Sequence, residues 1–288
     1  MSQQSYARGV LYVVLTGVFL SLGGLIVRQV AEADAWTVLF YRSLTFSITV
    51  LLFLWFQERG NAAGLYKQMR VLDGLVAVSL ALGFIFYLLS LFDTSVANTV
   101  LVLSTGPFVA ALLGRVFLGE RVTIITVIAM LGAIAGVIVM VSGGVSTGDI
   151  RGISFAFLAV LAFAVMIVSL RKIGDARNTM PAVSLAGFTA ALLCIPFMTT
   201  FQISGHDLLM AMCLGSVQVG LGFILITLGS RSVPAAQVPL LALGETALSP
   251  LWVWLLVNET PARNTLIGGA IVFAAVVFQG YMGLKSKD

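Results

Sequence analysis

The chain has 288 residues, of which 59% are hydrophobic and only 10% charged, against roughly 25% charged in an ordinary soluble domain. With a mean hydropathy of +1.07, this composition excludes a soluble enzyme, a disordered chain and a fibrous protein. It fits an all-α integral membrane protein, whose apolar side chains face lipid and whose helices satisfy every backbone polar group internally. The net charge of +4 reads as a Lys/Arg bias in cytoplasmic loops rather than as a nucleic-acid surface. The two cysteines, Cys194 and Cys213, lie in apolar runs, and His206 is the single histidine. No disulfide framework, metal site or cofactor is therefore expected.

A hydrocarbon core about 30 Å thick takes about 20 helical residues to cross. Ten apolar runs of that order follow one another, at 9–30, 36–56, 72–91, 95–118, 122–141, 152–170, 181–201, 208–228, 233–257 and 266–284. Turn-forming residues separate them, as in Glu58-Arg59-Gly60-Asn61, Ser142-Gly143-Gly144 and Asn258-Glu259-Thr260-Pro261. The breaks around Asp93 and around 230–232 are short enough to join antiparallel neighbours. With the N-terminus in the cytoplasm, the inside segments carry Arg8, Arg59, Lys67, Arg70, Arg115, Arg121, Arg171, Lys172, Arg177, Arg231, Lys285 and Lys287. The outside segments carry Arg28, Arg151 and Arg263, and Arg42 falls within a span. This asymmetry predicts cytoplasmic N- and C-termini and an even number of spans.

The chain also repeats itself. Ser95-Val96-Ala97-Asn98 opens the fourth span and Ser232-Val233-Pro234-Ala235-Ala236-Gln237 the ninth. Gly119-Glu120-Arg121 ends the fourth, Asn258-Glu259-Thr260 the ninth, and each contains a proline, Pro107 and Pro250. Ala97 to Glu120 and Ala236 to Glu259 are the same interval, 23 residues. Arg8-Gly9 before the first span echoes Arg151-Gly152 before the sixth. The predicted unit is five helices, residues 1–144 and 145–288. Five is odd, so the second copy enters the membrane from the opposite side. Two inverted halves around a central cavity are a transporter architecture. Pro107, Pro239 and Pro250 each remove a backbone donor, so bends are expected in the fourth and ninth helices.

On Pro107, Gly119-Glu120-Arg121 and their counterparts Pro250 and Asn258-Glu259, the sequence resembles the EamA-type branch of the drug/metabolite transporter superfamily over its whole length. The second copy departs from the pattern, with Asn258 and Thr260 in place of Gly and Arg. The resemblance implies that the third, fourth, eighth and ninth helices line the cavity, and that the second does not. It also implies export of amino acids or related metabolites across a bacterial-type inner membrane, with aromatic amino acid exporters the nearest in character.

In chain order, Arg42 comes first, about 10 Å into the second span at 1.5 Å per residue. A lipid-facing arginine is costly there. It either anchors a substrate carboxylate or clamps helix-end carbonyls. Ser79, Gly83, Tyr87 and Ser90 share one face of the third helix, and Asn98 and Thr105 one face of the fourth. Gly132-Ala-Ile-Ala-Gly136 on the fifth is a small-residue face for close packing or dimerisation. Phe163, in the sixth span, joins Ser79, Gly83, Tyr87, Asn98, Thr105, Gln218, Gln237, Glu245 and Trp252 as the residues expected to bind substrate. Gly215, Gln218 and Gly222 form a stripe on the eighth helix. On the ninth, Gln237, Leu241, Gly244, Leu248 and Trp252 share a face with Glu245 at its margin. Glu245 lies mid-span, where a charge is costly. It is a proton-coupling group, the partner of a substrate amine, a structural bridge between helices, or the partner of Arg42. Arg42, Glu245, Pro107 and Pro250 are the structural or coupling residues.

Paired interior carboxylates, a Gly-x-Ser-x-Gly turn and a Gly-x4-Gly-Lys-[Ser/Thr] phosphate loop are all missing from the sequence. No catalytic residue is therefore expected, and no ATP-driven step in this chain. The expected partners are a small-molecule substrate and the lipid bilayer, with no nucleic acid. One chain is expected to suffice for transport. The readings that remain are a secondary exporter of small neutral or zwitterionic metabolites and a passive channel. The topology is testable in intact cells. A cysteine at Ser146 should react with an impermeant reagent from outside and one at Gly64 should not, and labelling of both would contradict the inverted repeat.

Overall fold

The structure, a computed structural model, describes residues 3–58, 63–119, 124–141, 147–174, 179–230 and 244–285. Among these, all regular structure is helical. Helices α1 (Gln3–Val27) and α2 (Ala35–Gln57) fall on the first two expected spans, and α3 (Ala63–Tyr66) is a single turn in the loop that follows. The third span is α4 (Val71–Asp93), and the fourth is split into α5 (Val96–Leu103) and α6 (Gly106–Leu118). Next come α7 (Ile124–Val141), α8 (Thr147–Ile173) and α9 (Met180–Cys194), the last ending in a 3-10 turn, Ile195–Phe197. The eighth span runs without interruption through α10 (Gly205–Met212), a π-helix (Cys213–Leu221) and α11 (Gly222–Ser230). The last two helices are α12 (Gly244–Val257) and α13 (Arg263–Lys285). Seven described helices are long and apolar enough to cross a membrane, and shorter apolar helices occupy Ile124–Val139, Leu248–Val257 and Arg263–Ala275. These three lie at the fifth, ninth and tenth expected spans, so ten is the sequence's count and seven the number that meet it by length and apolarity. Glu120, Gln237 and Pro239 lie outside the described residues.

Hydrocarbon offers no hydrogen-bond partners, so helix ends must be closed by the chain itself. Asp34 caps α2 by accepting from the amides of Trp36 at 2.9 Å and Thr37 at 3.1 Å. Ser95 and Ser204 do the same for α5 and α10, accepting from Asn98 and Asp207 at 3.1 Å each. The fourth span is interrupted at Ser104 and Thr105. The Thr105 amide turns back to the Val102 carbonyl at 3.0 Å, and a new helix starts from the Thr105 carbonyl. Pro107 sits in the first turn of that helix, where its missing N–H costs nothing. Pro250 lies inside α12.

Exchanging each span for the one five places on reproduces the most extensive helix contacts among the described residues. The first span, α1, packs on the eighth (π-helix and α11) and on the ninth (α12). The sixth, α8, packs on the third (α4) and on the fourth (α5 and α6). Likewise α2 packs on the π-helix as α4 does on α9, while α2 with α9 and α7 with α13 are their own counterparts. The halves are inverted. Arg28, just past the C-terminus of α1, donates to the Thr94 carbonyl at 2.8 Å, and the Thr94 hydroxyl donates to Asp149 in the first turn of α8 at 2.8 Å. The C-terminus of α1 and the N-terminus of α8 thus share one end of the bundle, so these equivalent helices run in opposite directions.

Backbone geometry accounts for the departure in the repeat. Gly119 closes α6 with φ of 70°, and Asn258, after α12, has φ of 57°. Asparagine is among the few non-glycine residues that enter this left-handed region readily. The Gly132–Gly136 face is occupied within the chain. A Cβ at Gly136 would stand 2.7 Å from the Gly268 carbonyl oxygen, and one at Gly132 would stand 3.4 Å from Ala275 Cβ. These glycines serve the α7–α13 contact. In a detergent unfolding assay Asn258→Gly should be tolerated, whereas Asn258→Val should cost about 1–2 kcal/mol, because its branched Cβ resists the left-handed conformation.

Candidate functional site

A cavity of about 310 Å³ lies between the helices. Its walls come from both halves: Leu20 of α1, Arg42 of α2, Phe84 and Tyr87 of α4, Val100 and Leu103 of α5, and Ser104 at the break in the fourth span. Across from these stand Phe163, Met166 and Ile167 of α8, Gln218 and Val219 of the π-helix, Phe223 of α11 and Glu245 of α12. The third, fourth, eighth and ninth spans all contribute, as the resemblance implies. The first, second and sixth also contribute, and the second supplies the cation.

Arg42 is buried, with its guanidinium carbon 5.0 Å from the centroid of the Phe84 ring. A cation over an aromatic face gains electrostatically, more so where water is excluded. Its Nε has no hydrogen-bond partner. The same holds for two other buried atoms on this wall, the Tyr87 hydroxyl and Gln218 Oε1. Gln218 Nε2 is engaged, donating to the Leu20 carbonyl at 3.1 Å. Each unsatisfied buried group costs about 1–3 kcal/mol, and such groups are rare in native interiors. Of five such atoms among the described residues, three stand on this one cavity, where they could hydrogen-bond a guest. Glu245 lines the same cavity, and among the described residues it makes no ion pair with Arg42. A separated basic and an acidic side chain thus line one cavity.

Glycines permit this geometry. A Cβ at Gly23 would stand 2.7 Å from the Tyr87 hydroxyl and 2.8 Å from Gln218 Nε2, so α1 reaches these side chains because it has none there. A Cβ at Gly215 would collide with Thr45 Oγ1 and the Arg42 carbonyl, and bare backbone there lets the π-helix lie against α2. A π-turn admits an extra residue into a helix and recurs at functional sites. Here it carries Gln218. At Gly83 a Cβ would enter the Phe163 ring, so this glycine backs a wall residue without lining the cavity. The rings of Phe84, Phe163 and Phe223 form one apolar flank. Phe84 lies edge-on to Phe223 at 5.9 Å and to Phe163 at 6.4 Å between centroids.

Of the residues singled out in the sequence, Arg42, Tyr87, Phe163, Gln218 and Glu245 meet at this cavity. Others are engaged elsewhere. The Ser79 hydroxyl bonds back to the Leu75 carbonyl at 2.6 Å in its own helix. Asn98 donates to the Thr94 hydroxyl at 3.0 Å and accepts from Thr265 at 3.1 Å, joining α5 to α13 at one end of the bundle. Thr105 donates to the Val102 carbonyl at 2.7 Å, closing the helix break. The Trp252 indole donates to Ser21 at 3.0 Å, tying α12 to α1. Pro250 faces a separate groove beside Leu101 and Gly269. Leu20, Met166, Ile167 and Phe223 were not anticipated. Apolar residues in apolar helices carry no sequence mark, apart from the glycines beside Phe84 and Phe223.

A match to the EamA-like transporter family covers residues 7–142 and 150–280. An uncharacterized transporter of Archaeoglobus fulgidus is 30% identical over 271 residues, 92% of this chain and 93% of that one. A protein of known crystal structure aligns with a TM-score of 0.70 over 96% of this chain and 98% of its own, at 18% identity, a likeness of fold.

The two readings of Arg42 separate by stability. Arg42→Met removes a buried, incompletely bonded cation and should raise the unfolding temperature in detergent, by about 1–3 kcal/mol of stability. A lowered temperature would identify a structural clamp.

Proposed function

The chain belongs to the EamA-like transporter family, and from that premise we propose that it is a secondary carrier exporting small neutral or zwitterionic metabolites. Amino acids, aromatic ones foremost, are the substrate class we favour. The observation that carries this reading is the separated pair of Arg42 and Glu245 on one aromatic-flanked cavity. A zwitterion answers each feature. Its carboxylate meets Arg42, whose fork of donors suits two oxygens. Tyr87 and Gln218 offer further hydrogen bonds, its ammonium meets Glu245, and an apolar side chain lies against Phe84, Phe163 and Phe223. The cavity volume is at the small end of ligand pockets, which run from about 300 Å³ upward.

Transport proceeds by alternating access, with the inverted halves rearranging around the central cavity. The charge asymmetry supports cytoplasmic termini, and the resemblance supports a bacterial-type inner membrane and the outward direction. The cavity is walled by a single chain, which favours a monomer as the working unit. Glu245 shifts the balance between states by exchanging partners, a proton or a substrate ammonium in one and neither in the other. Only such differential stabilisation moves a two-state equilibrium. Ser79, Gly83, Asn98, Thr105 and Trp252 act around this centre as supports of helix packing or of the cavity's ends.

The test is counterflow in proteoliposomes loaded with single amino acids. A carrier gives saturable counterflow, and a passive channel gives none. Glu245→Gln keeps shape and hydrogen bonding while removing the charge, so transport should fall by about tenfold or more, the loss of one charge-assisted contact. A wild-type rate with an unchanged pH profile would assign Glu245 to a structural bridge instead.

A further inference from the structure

A second cavity, of about 270 Å³, lies between α6, α7 and α8, and its walls are almost wholly apolar. Phe108 and Ala133 form a buried floor, and Leu112, Ile134 and Phe157 stand half-exposed along the rim. Thr105 brings a hydroxyl to one end, but that hydroxyl already donates to the Val102 carbonyl at 2.7 Å. The groove thus recognises a guest by apolar contact alone. Its walls run from Thr105 to Leu112 on α6 and from Met130 to Ile138 on α7, about 10–12 Å along the helix axes at 1.5 Å per residue. The half-exposed rim opens toward the bilayer, so hydrocarbon is what meets it. An unfilled groove forfeits the contacts of its lining, and a methylene chain laid along it restores them.

Charge marks one end of this groove. Positions 108, 112 and 115 share a face of α6, at spacings of four and three, so Arg115 continues the stripe of Phe108 and Leu112. Arg115 lies in the last turn of α6, is exposed, and makes no ion pair among the described residues. Helix α8, which packs along α6, carries Arg171 and Lys172 in its own last turn. Both helices finish at the same end of the bundle, because Thr94, just ahead of α5, meets Asp149 in the first turn of α8 at the other end. From Thr105 to Arg115 is ten residues, about 15 Å, which is half of a hydrocarbon core about 30 Å thick. The acyl chain of a lipid in one leaflet spans that same half. Its far end would rest against the break in the fourth span, where Ser104 faces the central cavity and Thr105 the groove.

We propose that this groove is a binding site for an anionic phospholipid, with one acyl chain along Phe108 and Leu112 and the phosphate on Arg115, in the positive field of the α8 end. The guanidinium fork suits phosphate oxygens, and basic residues at the membrane surface attract anionic headgroups. The site goes beyond the carrier reading and depends only on the chain's membrane setting. Its test uses no transported substrate, so its failure and the failure of that reading are separate results.

Protein purified in detergent is mixed with equal amounts of dioleoyl phosphatidylglycerol and dioleoyl phosphatidylcholine, which differ in headgroup and not in chain. Retained lipid is counted by native mass spectrometry. The wild-type chain should retain the anionic lipid about fivefold over the zwitterionic one, the worth of one basic residue at a membrane surface. Arg115→Gln should bring that ratio close to one and leave phosphatidylcholine retention unchanged. Leu112→Trp, which pushes a ring from the rim into the groove, should lower retention of both lipids. If Leu112→Trp fails to fold, Ile134→Trp makes the same measurement from the α7 side. Equal retention by the wild-type chain, a preference that survives Arg115→Gln, or full retention with the groove filled would overturn the proposal. Displacement of the lipid by excess glycerol phosphate would assign Arg115 to a free anion and overturn it too. A dimer that Leu112→Trp separates would give the groove to a second copy of the chain, with the same result.

Discussion

Hydrocarbon accepts no hydrogen bonds, and the rest of this structure follows from that constraint. It makes helices the only regular structure among the described residues. It also governs where polar groups are found. At one end of the bundle Asp34, Ser95, Ser204 and Glu259 satisfy amides that helix starts leave open. Within the bundle, some serine and threonine hydroxyls turn back to their own helices, as those of Ser79 and Thr105 do, and others cross to a neighbour, as that of Ser47 does to the Ser184 carbonyl. Among the described residues five buried side-chain atoms lack a hydrogen-bond partner, and three of them, on Arg42, Tyr87 and Gln218, stand on the central cavity. In a medium that penalises such atoms this heavily, they are the clearest sign of purpose in the molecule.

The sequence revealed the architecture well because the bilayer leaves few alternatives. Length and apolarity sufficed to find the seven long spans and the three shorter apolar helices, and the equal spacing of Glu120 and Glu259 pointed to the repeat. Charged residues within spans were equally legible, since Arg42 and Glu245 stand out against an apolar background. Small polar residues were less so. Asn98 and Thr105 share a helical face with each other, and no periodicity tells a face turned to a cavity from one turned to a helix end or a neighbouring helix. The π-helix was invisible, because Gly215, Gln218 and Gly222 give an ordinary helical stripe. Only the contact of bare backbone at Gly215 with α2 shows why the widened turn is tolerated. Asn258 shows the converse case, a substitution that broke a sequence pattern while keeping the backbone conformation beneath it.

Packing by glycine recurs with different results. At Gly136 it seats α7 on α13, so the fifth and tenth spans close against each other and that face is not left free for a second copy. At Gly23 and Gly83 it brings α1 and α4 near enough to position Tyr87, Gln218 and Phe163. The cavity is thus shaped as much by missing side chains as by those that line it.

The π-helix at Cys213–Leu221 has no partner in the other half, since α4, its counterpart by packing, is an unbroken α-helix. The halves are equivalent in topology and unequal in detail, so under the alternating access proposed for this chain the state open to one side would not be the mirror image of the state open to the other. Their free energies would then differ, and one would predominate at rest. An uncoupled carrier built this way shows different half-saturation constants from its two sides. Its ratios of maximal rate to half-saturation constant still agree, because without a gradient there is no net flow. Broken symmetry therefore sets the side from which substrate is sensed more keenly, without by itself driving accumulation.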